Sequence, residues 1–397
     1  MSFTKPKIEI ADLFREHRHR LHIKSGHLEK VIDAIVNCRT ERLGGHIYQC
    51  DNSECGSEEQ SYNSCRNRNC PKCSYSPQEL WVDKRVMELL PIPYFHMVFT
   101  LPHSLNELII YNKVKLYGAL FKASQLAVKK LMKKNYKADP GMISLLHTWG
   151  SNLSYHVHAH MLLTGGGIGL VQDRWIPARE NYSLPVKALS PIYRAEFIKE
   201  VRKLKKKGKL TLPPSLEAPF AFENLLDSTF STDWVVYAKK PFTAPIEVLR
   251  YLGNYTHRIA FSNHRIVKVE NDRVFFHYKE YKDGSHENKI MSLEITEFLR
   301  RFLIHVVPRR FVKIRFYGIM ANKVRKKKID QARELIAKDS RLKKLETEEL
   351  KKIVEEYKAT HTVDTDTCRV CKKGKMQKLK EIAATGSGVK FKRNRGS

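Results

Sequence analysis

Apolar residues in IEIADLFREHRHRLHIKSGHLEKVIDAIVN, residues 8–37, recur at the spacing of one helix face, which predicts one or two basic amphipathic helices. From Tyr94 the pattern changes to short strand-like runs, YFHMVFTLP, MISLLHTWG and HVHAHMLLTG. Between them lies LIIYNKVKLYGALFKASQLAVKKLMKK, which has helical periodicity. This combination predicts an α+β fold built on an antiparallel sheet. The basic stretch RAEFIKEVRKLKKKGKLTLPP, around 194–214, reads as an insertion. Farther on, DRVFFHYKEY and KIMSLEITEFLRRFL predict a strand pair and a helix. After about Gly318 the chain turns helical and heavily charged, and its basic end, KFKRNRGS, is expected to be disordered. No fixed period repeats. The pattern divides the chain into residues 1–85, 86–320 and 321–397.

The strand HVHAHMLLTGGG places histidines at 156, 158 and 160. Alternate strand residues share a face and rise about 3.3 Å each, so neighbouring members of the trio can converge on one cation. His156 and His160 lie at twice that spacing and cannot share a metal bound at about 2 Å per ligand. Two ligands are therefore expected here and a third from elsewhere. Upstream, LLHTWG reads as a second strand and GSN, residues 150–152, as the turn between them, which puts His147 opposite His156 or His158.

Charge narrows the class of partner. The chain holds 72 Lys and Arg against 42 Asp and Glu, a formal net charge of +30 over 397 residues, an electrostatic footprint suited to nucleic acid. No apolar run approaches the roughly 20 residues that span a bilayer, and MSFTKPKIEIADLF does not read as a signal peptide. A soluble, cytoplasmic protein with no membrane partner is expected. Eight cysteines in a reducing compartment point to metal or free thiols rather than disulfides.

Cys50 and Cys55 form one pair, CDNSEC, and Cys70 and Cys73 a tight knuckle, CPKC; together they offer four thiolates for a structural zinc ion. Cys38, His46 and Cys65 lie close by, and a second knuckle, CRVC, holds Cys368 and Cys371. Either Cys65 replaces Cys55, or a second metal combines some of these extra ligands with the distant knuckle.

In APIEVLRYLGNYTHRIAFSN, Tyr251 and Tyr255 are four residues apart, which on a helix stacks both phenols on one face, with Arg258 nearly in line. A tyrosine can attack a phosphodiester when a cation polarises the phosphoryl oxygens. Two such tyrosines let one hold a cleaved end while the other cuts again.

HVHAHMLLTGGG resembles the histidine-hydrophobic-histidine (HUH) signature, and YLGNYTHRIAFSN the paired-tyrosine helix, of rolling-circle transposases of the insertion sequence 91 family, relatives of the Helitrons. CRTERLGGHIYQC through SYNSCRNRNCPKC is similar to that family's N-terminal zinc-binding module, and FHMVFTLPHSL, LLHTWG and HVVPRRFVKIRFYGIMAN match further stretches. The likeness spans most of residues 38–322. Two positions depart from the family pattern: Asn69 stands where histidine is common, and Val157 where proline is common.

The resemblance implies a zinc-binding module and an HUH nuclease domain whose antiparallel sheet has the histidine strand at its centre and the tyrosine helix packed across it, while the composition after Gly318 adds a basic helical C-terminal region. It implies that Tyr251 and Tyr255 are nucleophiles and that His158 and His160, with His147 as a candidate third ligand, hold Mg²⁺ or Mn²⁺. Lys239, Lys240 and Arg258 are candidates for phosphate contacts. The implied activity is nicking and joining of single-stranded DNA through 5′-phosphotyrosine intermediates. Implied partners are transposon ends, target DNA, a host helicase or replication machinery, since no GxxxxGK[ST] motif occurs, and a second copy of the chain. The expected setting is the bacterial nucleoid. Two other readings remain compatible with the residues, a non-catalytic zinc-ribbon DNA-binding protein and a replication initiator with the same chemistry.

Overall fold

A computed structural model describes residues 8–73, 88–179, 184–232, 234–238, 242, 247–248, 259–282, 285–339, 352, 355–356 and 366–385. In chain order, the first elements are helices α1 (Ile10–His17) and α2 (Gly26–Val36), then strands β1 (Gly45–Cys50), β2 (Glu58–Tyr62) and β3 (Tyr94–Thr100). There follow α3 (Asn106–Tyr111), α4 (Lys113–Tyr136), β4 (Ala138–Trp149), β5 (Tyr155–Gly169) and β6 (Trp175–Pro177). Next come α5 (Val186–Lys206), α6 (Ala221–Ser228), β7 (Val236–Ala238), β8 (Ile266–Glu270), β9 (Arg273–Lys282) and β10 (Ser285–Glu294). The last are α7 (Ile295–Ile304), β11 (Ile314–Gly318), α8 (Arg325–Ala337) and β12 (Met376–Ile382). The fold is α+β, as the sequence predicts. Among the described residues no helix is long and apolar enough to cross a membrane.

The chain forms two compact units, and they are interleaved in sequence: one holds Met1–Pro77, Ile259–Val306 and Ala359–Ser397, the other Gln78–Arg258 and Val307–Lys358. This differs from the linear division at 85 and 320. Residues 259–306 join the N-terminal cysteine region instead of the middle of the chain, and residues 321–397 divide between the two units.

The larger unit is built on an antiparallel sheet of order β11-β4-β5-β3-β7, with β6 added to the far end of β5. Strand β5 is central, paired with β3 and β4 along most of its length. Its odd positions, Val157, Ala159, Met161 and Leu163, join a core with Met97, Phe99, Met142 and Leu146 beneath the long helices. Helix α4 fits that face because Leu116, Tyr117, Leu120, Phe121, Ala127 and Val128 fall at helical spacing and are all buried. It stops at Lys137, whose left-handed backbone (φ 51°) donates its N–H to Lys133 O, an αL cap just ahead of a proline. The stretch read as a basic insertion is no insertion. Tyr193, Phe197, Ile198 and Val201 form the buried stripe of α5, and the basic residues occupy its outer faces.

The opposite sheet face carries the even positions of β5. There Leu162 joins Ile143, Leu145, Tyr94 and Trp175 against Ile329, Ala332, Leu335 and Ile336 of α8. The run of three glycines serves close strand packing. A Cβ on Gly167 would meet the carbonyl of Asp139 at 2.5 Å, and Gly166, at φ +139°, would bring one to 2.4 Å from Ile176 O.

In the other unit, β1 lies between β2 and β12, and β9 between β8 and β10. Phe14 of α1 meets Phe302 of α7 edge to face at 5.8 Å, and Phe261 meets both Phe276 and Phe298 edge to face in a small core. Ile10 N–H donates to Asn263 Oδ1, and Arg20 grips the Asp272 carboxylate, so residues far apart in sequence are tied to one module.

Candidate metal centre and cysteine clusters

The β4–β5 hairpin sets His147 directly opposite His158 and Leu145 opposite His160. Since the side-chain period of a strand is two, His147, His158 and His160 share the face that carries Ile143, Leu145 and Leu162, at the end nearest the turn. One ring nitrogen from each lies within 4.8 Å of the others. All three side chains are buried. His158 Nε2 and His160 Nε2 are 3.1 Å apart. Two nitrogens bound at about 2.1 Å to one ion stand about 3.0 Å apart at right angles and about 3.4 Å apart in a tetrahedron, so the spacing suits a shared cation.

Hydrogen bonds around the trio aim those lone pairs inward. His158 Nδ1 donates to its neighbour His156 O at 2.9 Å, which leaves Nε2 as the acceptor. His160 Nδ1 lies 2.9 Å from His96 Nε2, on β3. With the proton on His160 Nδ1 and His96 Nε2 accepting it, His160 Nε2 would likewise be a lone pair. Trp149 stacks on His147 at 4.5 Å. Burial and the neighbouring His156 push His158 down to about 4, so it is neutral, the form that binds metal, at ordinary pH. Three imidazoles suit a borderline transition-metal ion better than the hard, oxygen-seeking Mg²⁺.

His156 is not one of the three clustered ligands, although its ring centroid lies 5.0 Å from that of His158. Its Nδ1 is 3.3 Å from His103 Nε2 near the strand's outer end. Sequence reasoning missed His96, Trp149 and His103. A usable signal for His96 existed: it pairs with Leu162, so it shares the parity and the face of His160 two residues away. Tyr251, Tyr255, Arg258, Lys239 and Lys240 lie outside the described residues.

The cysteines form two groups of four, Cys38, Cys65, Cys70 and Cys73, and Cys50, Cys55, Cys368 and Cys371. CDNSEC and CPKC therefore do not share a site. The reason is the hairpin: Cys50 and Cys55 sit at one end of β1, whereas Cys65 follows β2 at the other, where Tyr62 pairs with Gly45. A six-residue strand separates those ends by about 16 Å, far beyond the reach of one ion. His46, on β1, belongs to neither group; its ring meets Tyr48 edge-on at 6.1 Å.

In the first group the Sγ atoms of Cys38 and Cys65 are 3.3 and 3.6 Å from that of Cys73. Zn–S bonds of about 2.3 Å in a tetrahedron place sulfurs about 3.8 Å apart, so this group fits a structural zinc ion. Backbone N–H groups of Cys65 and Asn67 point at Cys38 Sγ and Cys65 Sγ, as thiolates require. No ligand is needed from position 69, since Cys70 supplies the fourth; the Asn69 amide donates to Asn67 Oδ1.

Comparison with known proteins agrees with a zinc-binding cysteine module. A family model described as "Transposase zinc-binding domain", of the insertion sequence 91 type, matches residues 9–101, and one described as "Putative transposase" matches residues 141–328. The chain is 37% identical over 377 residues to "Putative transposase y4qJ" of Sinorhizobium fredii, covering 93% of this chain and 94% of that one. It is 28% identical over 304 residues to "Transposase for insertion sequence element IS801" of Pseudomonas savastanoi pv. phaseolicola, covering 74% of this chain and 70% of that one. No solved structure gives a significant match. With its zinc-binding domain, its central antiparallel sheet and a relative matched almost end to end, the chain belongs to the transposases of the insertion sequence 91 family.

Proposed function

We propose that this transposase nicks and rejoins single-stranded DNA at transposon ends by the HUH two-tyrosine chemistry. The observation that carries the reading is the pair of Nε2 atoms of His158 and His160, 3.1 Å apart with His147 beside them on the adjoining strand. These imidazoles would hold Mn²⁺ or Mg²⁺. The ion supplies positive charge that orients the scissile phosphate and makes its phosphorus more electrophilic.

The chain's own residues do the rest. The phenol oxygen of Tyr251 or Tyr255 gives up its proton and attacks the phosphorus. The bond from phosphorus to the 3′-oxygen breaks, and that oxygen leaves as a free 3′-hydroxyl after taking up a proton. The protein is then joined to the 5′ end, and the bond energy is kept for the reverse step on a second strand. Arg258, Lys239 and Lys240 contact backbone phosphates. The net charge of +30 gives affinity that is largely indifferent to sequence and falls steeply with salt. Strand opening comes from replication or a host helicase in the bacterial nucleoid, and two copies of the chain act at the paired ends.

A nicking assay on labelled single-stranded ends with Mn²⁺ tests the histidines. His158→Ala and His160→Ala should each lower cleavage at least 100-fold while DNA affinity stays within a few-fold, because affinity resides in phosphate contacts elsewhere. His147→Ala should impair cleavage if it is the third ligand. Undiminished cleavage in His158→Ala would refute the metal centre.

A further inference from the structure

We infer that Cys50, Cys55, Cys368 and Cys371 hold a second zinc ion, one whose ligands come from both ends of the chain. The matched zinc-binding family stops at residue 101, so Cys368 and Cys371 lie well outside it. Nevertheless the Sγ atoms of Cys50 and Cys371 are 3.6 Å apart, and those of Cys55 and Cys368 are 3.9 Å apart. These values bracket the sulfur spacing of about 3.8 Å around a tetrahedral zinc ion. All four sulfurs lie within 4.8 Å of one another, which leaves room for one ion and none for an iron–sulfur cluster.

Both halves of the site are built as ligand turns. In CDNSEC, the N–H groups of Cys55 and Gly56 donate to Asn52 O, with Gly56 in the left-handed region at φ 52°. In CRVCKKGK, Lys372 takes φ 57°, its N–H donates to Cys368 O, and Gly374 N–H points at Cys371 Sγ from 3.3 Å. Gly374 has no room for a side chain, because a Cβ there would stand 2.4 Å from Cys50 Sγ. The Ser57 hydroxyl is 3.2 Å from Cys368 Sγ, a donor for a sulfur left with negative charge. Four thiolates around Zn²⁺ carry a net charge of −2, and Arg369, Lys372, Lys373 and Lys375 flank the knuckle in sequence with positive charge.

The strands bring the two turns together. Met376 at the start of β12 pairs with Cys50 at the end of β1, so the knuckle just ahead of β12 falls beside Cys50. Asp51 clamps the junction, donating its N–H to Lys375 O at 3.0 Å and accepting from Lys375 N–H on Oδ1 at 2.7 Å. Strand β12 is the sheet's edge, and its side chains are mostly exposed, so burial contributes little to holding it. The ion would therefore reinforce the β1–β12 backbone ladder as a second tie between the C-terminal strand and the N-terminal module.

Elemental analysis of the full chain, purified without chelator, should give two zinc ions per chain. Cys368→Ser/Cys371→Ser should give one, and a wild-type content of one, or a double variant that keeps two, would overturn the proposal. Because a variant can lose metal by failing to fold, the wild type should also be loaded with ¹¹³Cd. Two separate resonances, both in the region of sulfur-only coordination, are expected. A single resonance would overturn the second site without any substitution.

Discussion

His96 Nε2 on β3 lies 2.9 Å from His160 Nδ1 on β5, so an imidazole outside the trio holds the ring orientation of one within it. Groups in this position commonly account for 10–100-fold in metal affinity. His96→Ala should weaken Mn²⁺ binding by about that range, as measured by calorimetry. His96→Gln, which keeps a hydrogen-bonding group at the position, should recover part of the loss. Equal affinity in wild type and His96→Ala would remove His96 from the site.

The pH dependence of the metal-free protein follows from His158. Its folded-state pKa is pushed down to about 4 from 6.5 by burial and by His156, so the unfolded chain takes up a proton first as pH falls. This contribution to stability is fully present above about 6.5 and is lost as pH drops towards 4. Denaturant midpoints of chelator-treated protein, measured between those limits, should fall with acid in the wild type. They should fall less in His158→Gln, which cannot titrate there; parallel slopes would contradict the assignment.

Gly166 tests why the histidine strand ends in glycines. Gly166→Ala forces a side chain into a backbone conformation that costs about 1–3 kcal/mol and against a carbonyl 2.4 Å away. Thermal unfolding should shift down by several degrees. Gly118→Ala is the control: Gly118 lies inside α4 with open space around its missing Cβ, and alanine there should be neutral or stabilising by about 0.5–1 kcal/mol.

Much of this architecture was legible in the residues because period and chemistry coincide. Alternation in HVHAHMLL places histidines on one face and Val157, Ala159 and Met161 on the other, and GSN marks the turn that brings His147 across. The cysteine grouping was not legible, because spacing along the chain ignores the β1–β2 hairpin that carries Cys50 and Cys65 to opposite ends. The buried stripe of α5 was hidden by its lysines, which outnumber Tyr193, Phe197, Ile198 and Val201 and obscure their period. The interleaving of units was equally hidden. Contacts such as Phe14 with Phe302 depend on packing between segments that nothing local relates.

The central claim rests on the tyrosines. Tyr→Phe removes one oxygen and keeps the ring, so a loss reports chemistry rather than packing. Either single change should block complete transposition, since one tyrosine cannot hold an end and cut again. The most direct measurement is transfer of label from the 3′ side of the nick in a single-stranded transposon end onto the protein. Wild type should form that covalent adduct and leave a free 3′-hydroxyl on the other fragment, and Tyr251→Phe/Tyr255→Phe should form none. An adduct at the wild-type level in the double variant would contradict the account.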